Sequence, residues 1–241
     1  MAADPLHGKK VVIVGGTSGI GFAVAEAALE RGAKVVVASS QQAGVDAALG
    51  RLGKGAEGST LNVTDEGDVA GFFERLGGFD HLVFTAGDWA GMGGGSSLAE
   101  LDLSAAKAAF GVRFWGALAV VKHGYGKIAE GGSITLTDGM LAHRPRKGAP
   151  VSTAMLGAIE HLTRALAVDL APVRVNAVCP GLVMTERSSG MPEAVLQRFT
   201  ARLPLPRGGD PAEVAEAYLY LMRGGYTTGQ VLKVDGGGSI V

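Results

Sequence analysis

Residues 10–21, KVVIVGGTSGIG, constrain this chain more than any other stretch. Val11 to Val14 form a β-branched apolar run of the kind that fills a buried strand. The run breaks at once into Gly15, Gly16, Gly19 and Gly21, and FAVAEAALERG (22–32) follows with helical patterning and a closing glycine. Strand, glycine turn and helix in that order set bare N–H groups at a helix N-terminus, where glycines let a phosphate approach the backbone. A glycine triplet alone is a weak sign; between a strand and a helix it predicts a dinucleotide pyrophosphate site.

The same alternation continues along the chain. Further strands are expected at 34–38, 56–63, 80–86, 132–137, 173–178 and 230–234. Helices are expected at 42–52, from Thr64 or Asp65 to 76, across 98–129, at 151–170, near 193–201 and from Asp210 or Pro211 to 222. Strands spaced by helices make a parallel sheet covered on both faces. At 241 residues, with no internal repeat and no dividing linker, the expectation is one α/β domain over 1–241, doubly wound and Rossmann-type.

Charge and composition exclude several classes of partner. Lys+Arg (22) and Asp+Glu (23) leave a net charge of −1, so nothing draws the chain to nucleic acid or an anionic membrane. The N-terminal MAADPLHGKK lacks the apolar core of a signal peptide, and no apolar run is read as approaching a span of about 20 residues. The single cysteine, Cys179, cannot form an intrachain disulfide and suits a reducing compartment, so the expected location is cytoplasmic.

Two local features address the cofactor. The second strand ends Ala38-Ser39-Ser40-Gln41-Gln42, and the next acid is Asp46. No carboxylate would repel a 2′-phosphate there and two hydroxyls could donate to it, which favours NADP(H) over NAD(H), although no Arg or Lys balances the phosphate. After the strand at 173–178, Pro180-Gly181 turns at the carboxyl edge of the sheet. The Thr185 hydroxyl and the Val183 backbone could recognise a carboxamide there.

VVIVGGTSGIG (11–21), LNVTD (61–65), TAG (85–87), GSI (132–134), LTRALAVDLAPVRVNAVCPGLVMT (162–185) and YTTGQVLKVDGGG (226–238) together make the chain resemble the short-chain dehydrogenase/reductase family over nearly its whole length. The resemblance implies a seven-stranded parallel sheet with Rossmann connections. It implies that Gly15, Thr17, Ser18, Gly19, Ile20 and Gly21 hold the pyrophosphate, with Ser39 and Ser40 beside the adenosine ribose. Asn62 and Val63 match positions near the adenine, and Thr85-Ala86-Gly87 match the family's Asn-Ala-Gly. Pro180, Gly181, Val183 and Thr185 match the segment that fixes the nicotinamide amide. It also implies a homodimer or homotetramer built on the long helix, the 151–170 helix and the last strand, with Gly116, Ala117 and Gly157 permitting close helix approach.

The family's catalytic residues are a Tyr, a Lys four residues later, a Ser on a strand end and an Asn on the long helix. Alignment through LTRALA sets Ser152, Leu156, Gly139 and Arg113 in those places. Tyr125, Tyr218, Tyr220 and Tyr226 are followed four residues on by Ala129, Met222, Gly224 and Gln230, so no tyrosine has the family's lysine. Arg113 could bind a substrate carboxylate or polarise a carbonyl, or could form a buried ion pair with Asp138. In the polar loop 138–150, His143 or Lys147 could donate a proton, or could belong to an exposed basic loop. Ser152 and Thr153 could bond a substrate or cap the following helix. His123, Tyr125, Lys127 and His161 read as structural, and no Cys, His or acid cluster has metal-ligand spacing. Trp89, Met92, Trp115, Leu141, Leu156 and Met184 are candidates for an apolar pocket or for core. Two functions follow: an NADP(H)-dependent oxidoreductase acting on an unknown carbonyl or alcohol, or a catalytically silent dinucleotide-binding or non-redox protein, whether sensor, scaffold or recruited enzyme.

Overall fold

The structure is a computed structural model and describes residues 4–87, 98–188 and 190–241. Seven strands, β1 (Lys10–Val14), β2 (Lys34–Ser39), β3 (Ala56–Thr60), β4 (Phe79–Phe84), β5 (Ile128–Thr137), β6 (Arg174–Pro180) and β7 (Val231–Val234), form one sheet. Every pairing is parallel and the order is β3-β2-β1-β4-β5-β6-β7, the doubly wound arrangement expected. Its direction reverses between β1 and β4, and the carboxyl edge at that switch point is where open α/β sheets bind ligands.

Helices cover both faces. Helix α1 (Gly19–Glu30) and the later α8 (Pro211–Arg223) pack on one side with Phe22, Val24, Tyr218 and Leu219. The other side carries α3 (Glu66–Leu76), α5 (Ala117–Gly124) and α6 (Pro150–Asp169), which bury Phe72, Phe73, Val120 and Ile159 against Leu82 and Ile134. Helix α2 (Gln42–Leu52) has the bounds expected, and α7 (Glu193–Thr200) lies in the loop-rich segment. Asp65, not Thr64, caps α3, accepting from the N–H groups of Gly67 (2.9 Å) and Asp68 (3.1 Å). Asp210 caps α8 in a capping box with Glu213.

Several boundaries differ from expectation for identifiable reasons. Strand β3 stops at Thr60, because the Asn62 side chain turns the chain by accepting from the Thr64 N–H and hydroxyl. The long helix starts at α4 (Leu103–Phe110), capped by Asp102, and β5 takes over at Ile128. Between α4 and α5 the helix widens into a π-helical stretch, Gly111–Gly116, that carries Arg113. Such widenings redirect side chains and recur at functional sites. The unbroken helix Leu103–Lys127 contains an 18-residue window of mean hydropathy 1.2, enough by length and composition alone to cross a membrane. That corrects the expectation that no apolar run is long enough. Part of this apolarity serves the core through Ala117, Val120 and Val121, while Leu103 and Trp115 face outward.

Candidate active site

A cleft of about 380 Å³ opens at the carboxyl edge of the sheet over β1 and β4. One wall is the glycine turn, from Gly15 through Thr17, Ser18, Gly19 and Ile20 to Gly21. A Cβ on Gly15 would sit 2.5 Å from the Ala86 nitrogen, and one on Gly21 would collide with the Gly15 carbonyl. Gly15 also has φ +92°, which side chains disfavour. The first turn of α1 takes an anion: the Gly19 N–H donates to Glu186 Oε2 (3.0 Å), and Arg51 Nη1 lies 3.5 Å from the other oxygen. Ser39, Ser40, Asn62 and Val63 line one end of the cleft; Pro180, Thr185 and Arg187 line another part. Thr85 donates to the Gly15 carbonyl (3.1 Å), tying β4 to the glycine turn.

The floor of the cleft holds the charged groups. Arg113, delivered by the π-helical stretch, packs over Gly87, where any side chain would strike its guanidinium. Asp138 follows β5 directly; its N–H donates to the Val178 carbonyl (2.9 Å), which fixes the backbone, and its residue is 2% exposed. Among the described residues neither Asp138 carboxyl oxygen has a well-aligned hydrogen-bond partner. Burial pushes this carboxyl up to about 8; the adjacent Glu160 carboxylate adds to the rise and the Gly139 amide opposes it. Glu160 is itself buried, on α6. Its Oε1 lies 2.6 Å from His143 Nε2, close but out of hydrogen-bond alignment, and its Oε2 accepts from Arg164 (3.1 Å). His143 Nε2 is 3.9 Å from Asp138 Oδ2.

The family model described as enoyl-(acyl carrier protein) reductase matches residues 14–239. The short-chain dehydrogenase/reductase ucsE of an Acremonium species is 39% identical over 99% of this chain and 98% of its own length. The chain belongs to the short-chain dehydrogenase/reductase family. A small-chain dehydrogenase solved in complex with NADPH shares 35% identity with this family member, with a TM-score of 0.81, covering 97% of this chain and 100% of the other. The MalC reductase/Diels-Alderase of Malbranchea aurantiaca shares 33% identity and a TM-score of 0.90, covering 98% and 97%.

Most of the residues singled out in the sequence converge on this one cleft of the family fold. Gly181 and Val183 do not line it. Gly181 packs against the Asp235 backbone, and Val183 bridges to Gly209. Leu156 lines the cleft, as does Arg113, but the anticipated Arg113–Asp138 ion pair is not formed; the ion-pairing group nearest Asp138 is His143. His143 does not line the cleft but lies 3.9 Å from Asp138 Oδ2, which does, and Lys147 is exposed. Ser152 and Thr153 do not cap α6: the helix starts at Pro150 with Ala149 as N-cap, leaving Ser152 buried inside the first turn. Among the apolar candidates, Leu141 packs with Leu156 and Ala149, Met184 lies against Gly208, and Trp115 lies on an outer groove. Trp89 and Met92 lie outside the described residues. His161 bonds the Gly157 carbonyl and His123 meets Glu66 on the surface, both structural.

Sequence spacing showed no metal-ligand cluster, yet in space Asp138, His143 and Cys179 bring one ligand-type atom each within 4.8 Å of the others. Burial pushes the Cys179 thiol far up, with Asp138 next among the causes, so sulfur stays protonated there. The group brings two buried acids, Asp138 and Cys179, each shifted towards its protonated form, beside one imidazole. Asp138 as its centre was missed in the sequence, where it read only as a partner for Arg113. The one available signal was an acid directly after a buried strand at the carboxyl edge. Tyr218 is the tyrosine nearest these groups, but it is fully buried, shares a 2.8 Å hydrogen bond with Thr137, and has its phenol pushed upward by burial.

Proposed function

We propose that this chain is an NADP(H)-dependent oxidoreductase for a carbonyl or alcohol, working without the Tyr-Lys pair and using Asp138 as its acid. The observation that carries the reading is a fully buried carboxyl, shifted upward by that burial and by the neighbouring Glu160, set in the wall of the cleft that the glycine turn opens. Ser152 and Leu156, at the positions of the pair, offer only a weakly acidic hydroxyl and an apolar chain.

The cradle fits a dinucleotide. The glycine turn would hold the pyrophosphate that the Glu186 carboxylate mimics, Ser39 and Ser40 would meet the ribose phosphate, and Thr185 would meet the nicotinamide amide. The bound cofactor supplies or accepts the hydride. Arg113 orients the substrate oxygen or a carboxylate beside it, and Asp138 gives that oxygen its proton. The relative bound to NADPH and the absence of an acid after β2 both support NADP(H).

We further propose a cytoplasmic homo-oligomer. Leu98, Leu103 and Trp115 are exposed beside Val151 along a groove of about 540 Å³, a surface that a second copy would cover. Gly116 and Ala117 are not part of it, being packed inside the monomer, whereas Gly157 has open space around it.

Fluorescence titration with NADPH and NADH tests the cofactor, and loss of NADPH absorbance over a panel of aldehydes, ketones and imines tests the chemistry. Tighter NADPH binding and a substrate whose reduction Asp138→Asn abolishes support the reading. Cofactor binding with complete silence across the panel overturns it. The remaining reading is then non-redox use of the cleft, which the similar MalC, both reductase and Diels-Alderase, favours.

A further inference from the structure

Helix α6 presents Ser152, Leu156 and Glu160 at intervals of four residues, one stripe along the face turned to β5 and β6. Glu160 extends the stripe one turn beyond Leu156, which lines the cleft, and is close enough to act on Asp138. Its placement is unusual for a buried acid. One oxygen is held by Arg164, and the other lies against the His143 imidazole. Four of the buried polar side-chain atoms without hydrogen-bond partners, among the described residues, belong to this group: both oxygens of Asp138, Glu160 Oε1 and His143 Nε2. Buried polar atoms left without partners call for a role, and titratable ones grouped this closely are placed to exchange protons.

The members differ in access to water. The side chain of Asp138 is 0% exposed and that of Glu160 is 9%, whereas that of His143 is 21%. Once Asp138 has given up its proton, cofactor and product would fill the cleft, and the back wall offers a route through His143, whose Nε2 lies 3.9 Å from Asp138 Oδ2. Imidazole exchanges protons with water near neutral pH and can pass them on.

We propose that His143 is the proton inlet of this site, carrying protons from solvent through the back wall to Asp138, and that Glu160 is a positioning residue that holds the imidazole there. The inference rests on Asp138 being the acid. Each cycle balances: the Asp138 O–H bond breaks as its proton goes to the substrate oxygen; an N–H bond of the protonated His143 breaks, leaving the neutral imidazole, as the Asp138 O–H re-forms; a hydronium ion from solvent then returns the proton to the ring, so one solvent proton is consumed per turnover. In the alcohol-oxidising direction the same steps run in reverse. The groups facing the pair are Arg164 from α6 and Cys179 from β6; Asp235 and Lys233 act on Cys179 from the end of β7, and Arg113 and Asp138 both act on the Tyr218 phenol. Cys179 and Tyr218 hold their protons and do not compete.

The test needs no substrate. Protein labelled with carbon-13 at the aspartate carboxyls, at about pH 6 in mixed H2O and D2O, reports how fast the Asp138 proton exchanges, since slow exchange splits the resonance by the isotope shift; Asp138→Asn identifies it. The wild type is expected to give one averaged line. His143→Ala is expected to slow exchange by at least about tenfold, with added imidazole restoring it, and His143→Gln, which keeps the bulk, is expected to behave as the alanine variant does. Unchanged exchange in both variants, each folded by circular dichroism, overturns the inlet while leaving Asp138 as the acid. An Asp138 carboxyl already ionised at that pH in the wild type overturns both. Glu160→Gln is expected to lower the Asp138 titration by about one pH unit, through loss of a like charge; an unmoved titration removes Glu160 from the device.

Discussion

Across β4, β5 and β6 one row of the sheet sets His81, Ser133 and Arg174 side by side in register, all buried. His81 Nδ1 and Ser133 Oγ share a 2.9 Å hydrogen bond, and the Arg174 guanidinium donates to the carbonyls of Leu221 (2.6 Å) and Met222 (2.9 Å). One residue past the end of β5, Asp138 is as deeply buried, but among the described residues its oxygens have no such well-aligned partners. The first site locks the C-terminal end of α8 onto the sheet. Burial drives its histidine down to about 4, so it stays neutral and inert. The second holds a carboxyl that burial pushes upward, the acid proposed above. Satisfied burial builds the frame, and unsatisfied burial at the ligand edge keeps chemistry available.

The largest expected effect breaks the contrast at the ligand edge. Asp138→Asn keeps the shape and removes the acid, so turnover of whichever carbonyl compound the panel identifies should fall by about 100-fold or more. NADPH affinity should stay nearly unchanged in the same titration. Equal losses in both would make Asp138 a binding residue instead.

At the other end, Arg174→Met leaves two buried carbonyls and should cost about 2 kcal/mol of unfolding free energy, read from urea denaturation. A cost near zero would mean that water replaces the guanidinium.

The two sites also give opposite pH dependences. The Asp138 carboxyl titrates far above its ordinary 3.8. Between about pH 4 and 8 the folded protein holds a proton that the unfolded chain has lost, so stability falls as pH rises, by at most about 1.4 kcal/mol per unit. His81 titrates below its ordinary 6.5. Its neutral folded form loses stability as pH falls from 6.5 towards 4, where only the unfolded chain takes up the proton. Denaturation between pH 6.5 and 8 therefore isolates Asp138, and Asp138→Asn should flatten the slope there.

The smallest effect concerns the cradle. Glu186→Gln removes the carboxylate that rests on the first turn of α1 and should tighten NADPH binding about two- to fivefold. Weaker binding would show that Glu186 helps to hold the cofactor.

The fold was legible in the sequence because its signals are local. The apolar runs at Val11–Val14 and along β2, the caps at Asp65 and Asp210, and the glycine turn each lie within a few residues. The bounds of α2 followed from pattern alone, and the cofactor wall followed from motifs that are contiguous in the chain. Boundaries failed where a side chain overrode propensity, as at Asn62, or where a buried first turn displaced a cap, as at Ser152.

By itself, then, the sequence determined a parallel doubly wound sheet, a dinucleotide cradle at its switch point and the lack of any tyrosine followed four residues later by lysine. Only the tertiary structure decided what stands beside that cradle. Asp138, His143, Glu160 and Cys179 come from the end of β5, the turn after it, α6 and β6, and no spacing in the chain relates them. The protonation of Asp138 depends on the water that packing excludes and on the charge it brings alongside, and both exist only once the elements have assembled.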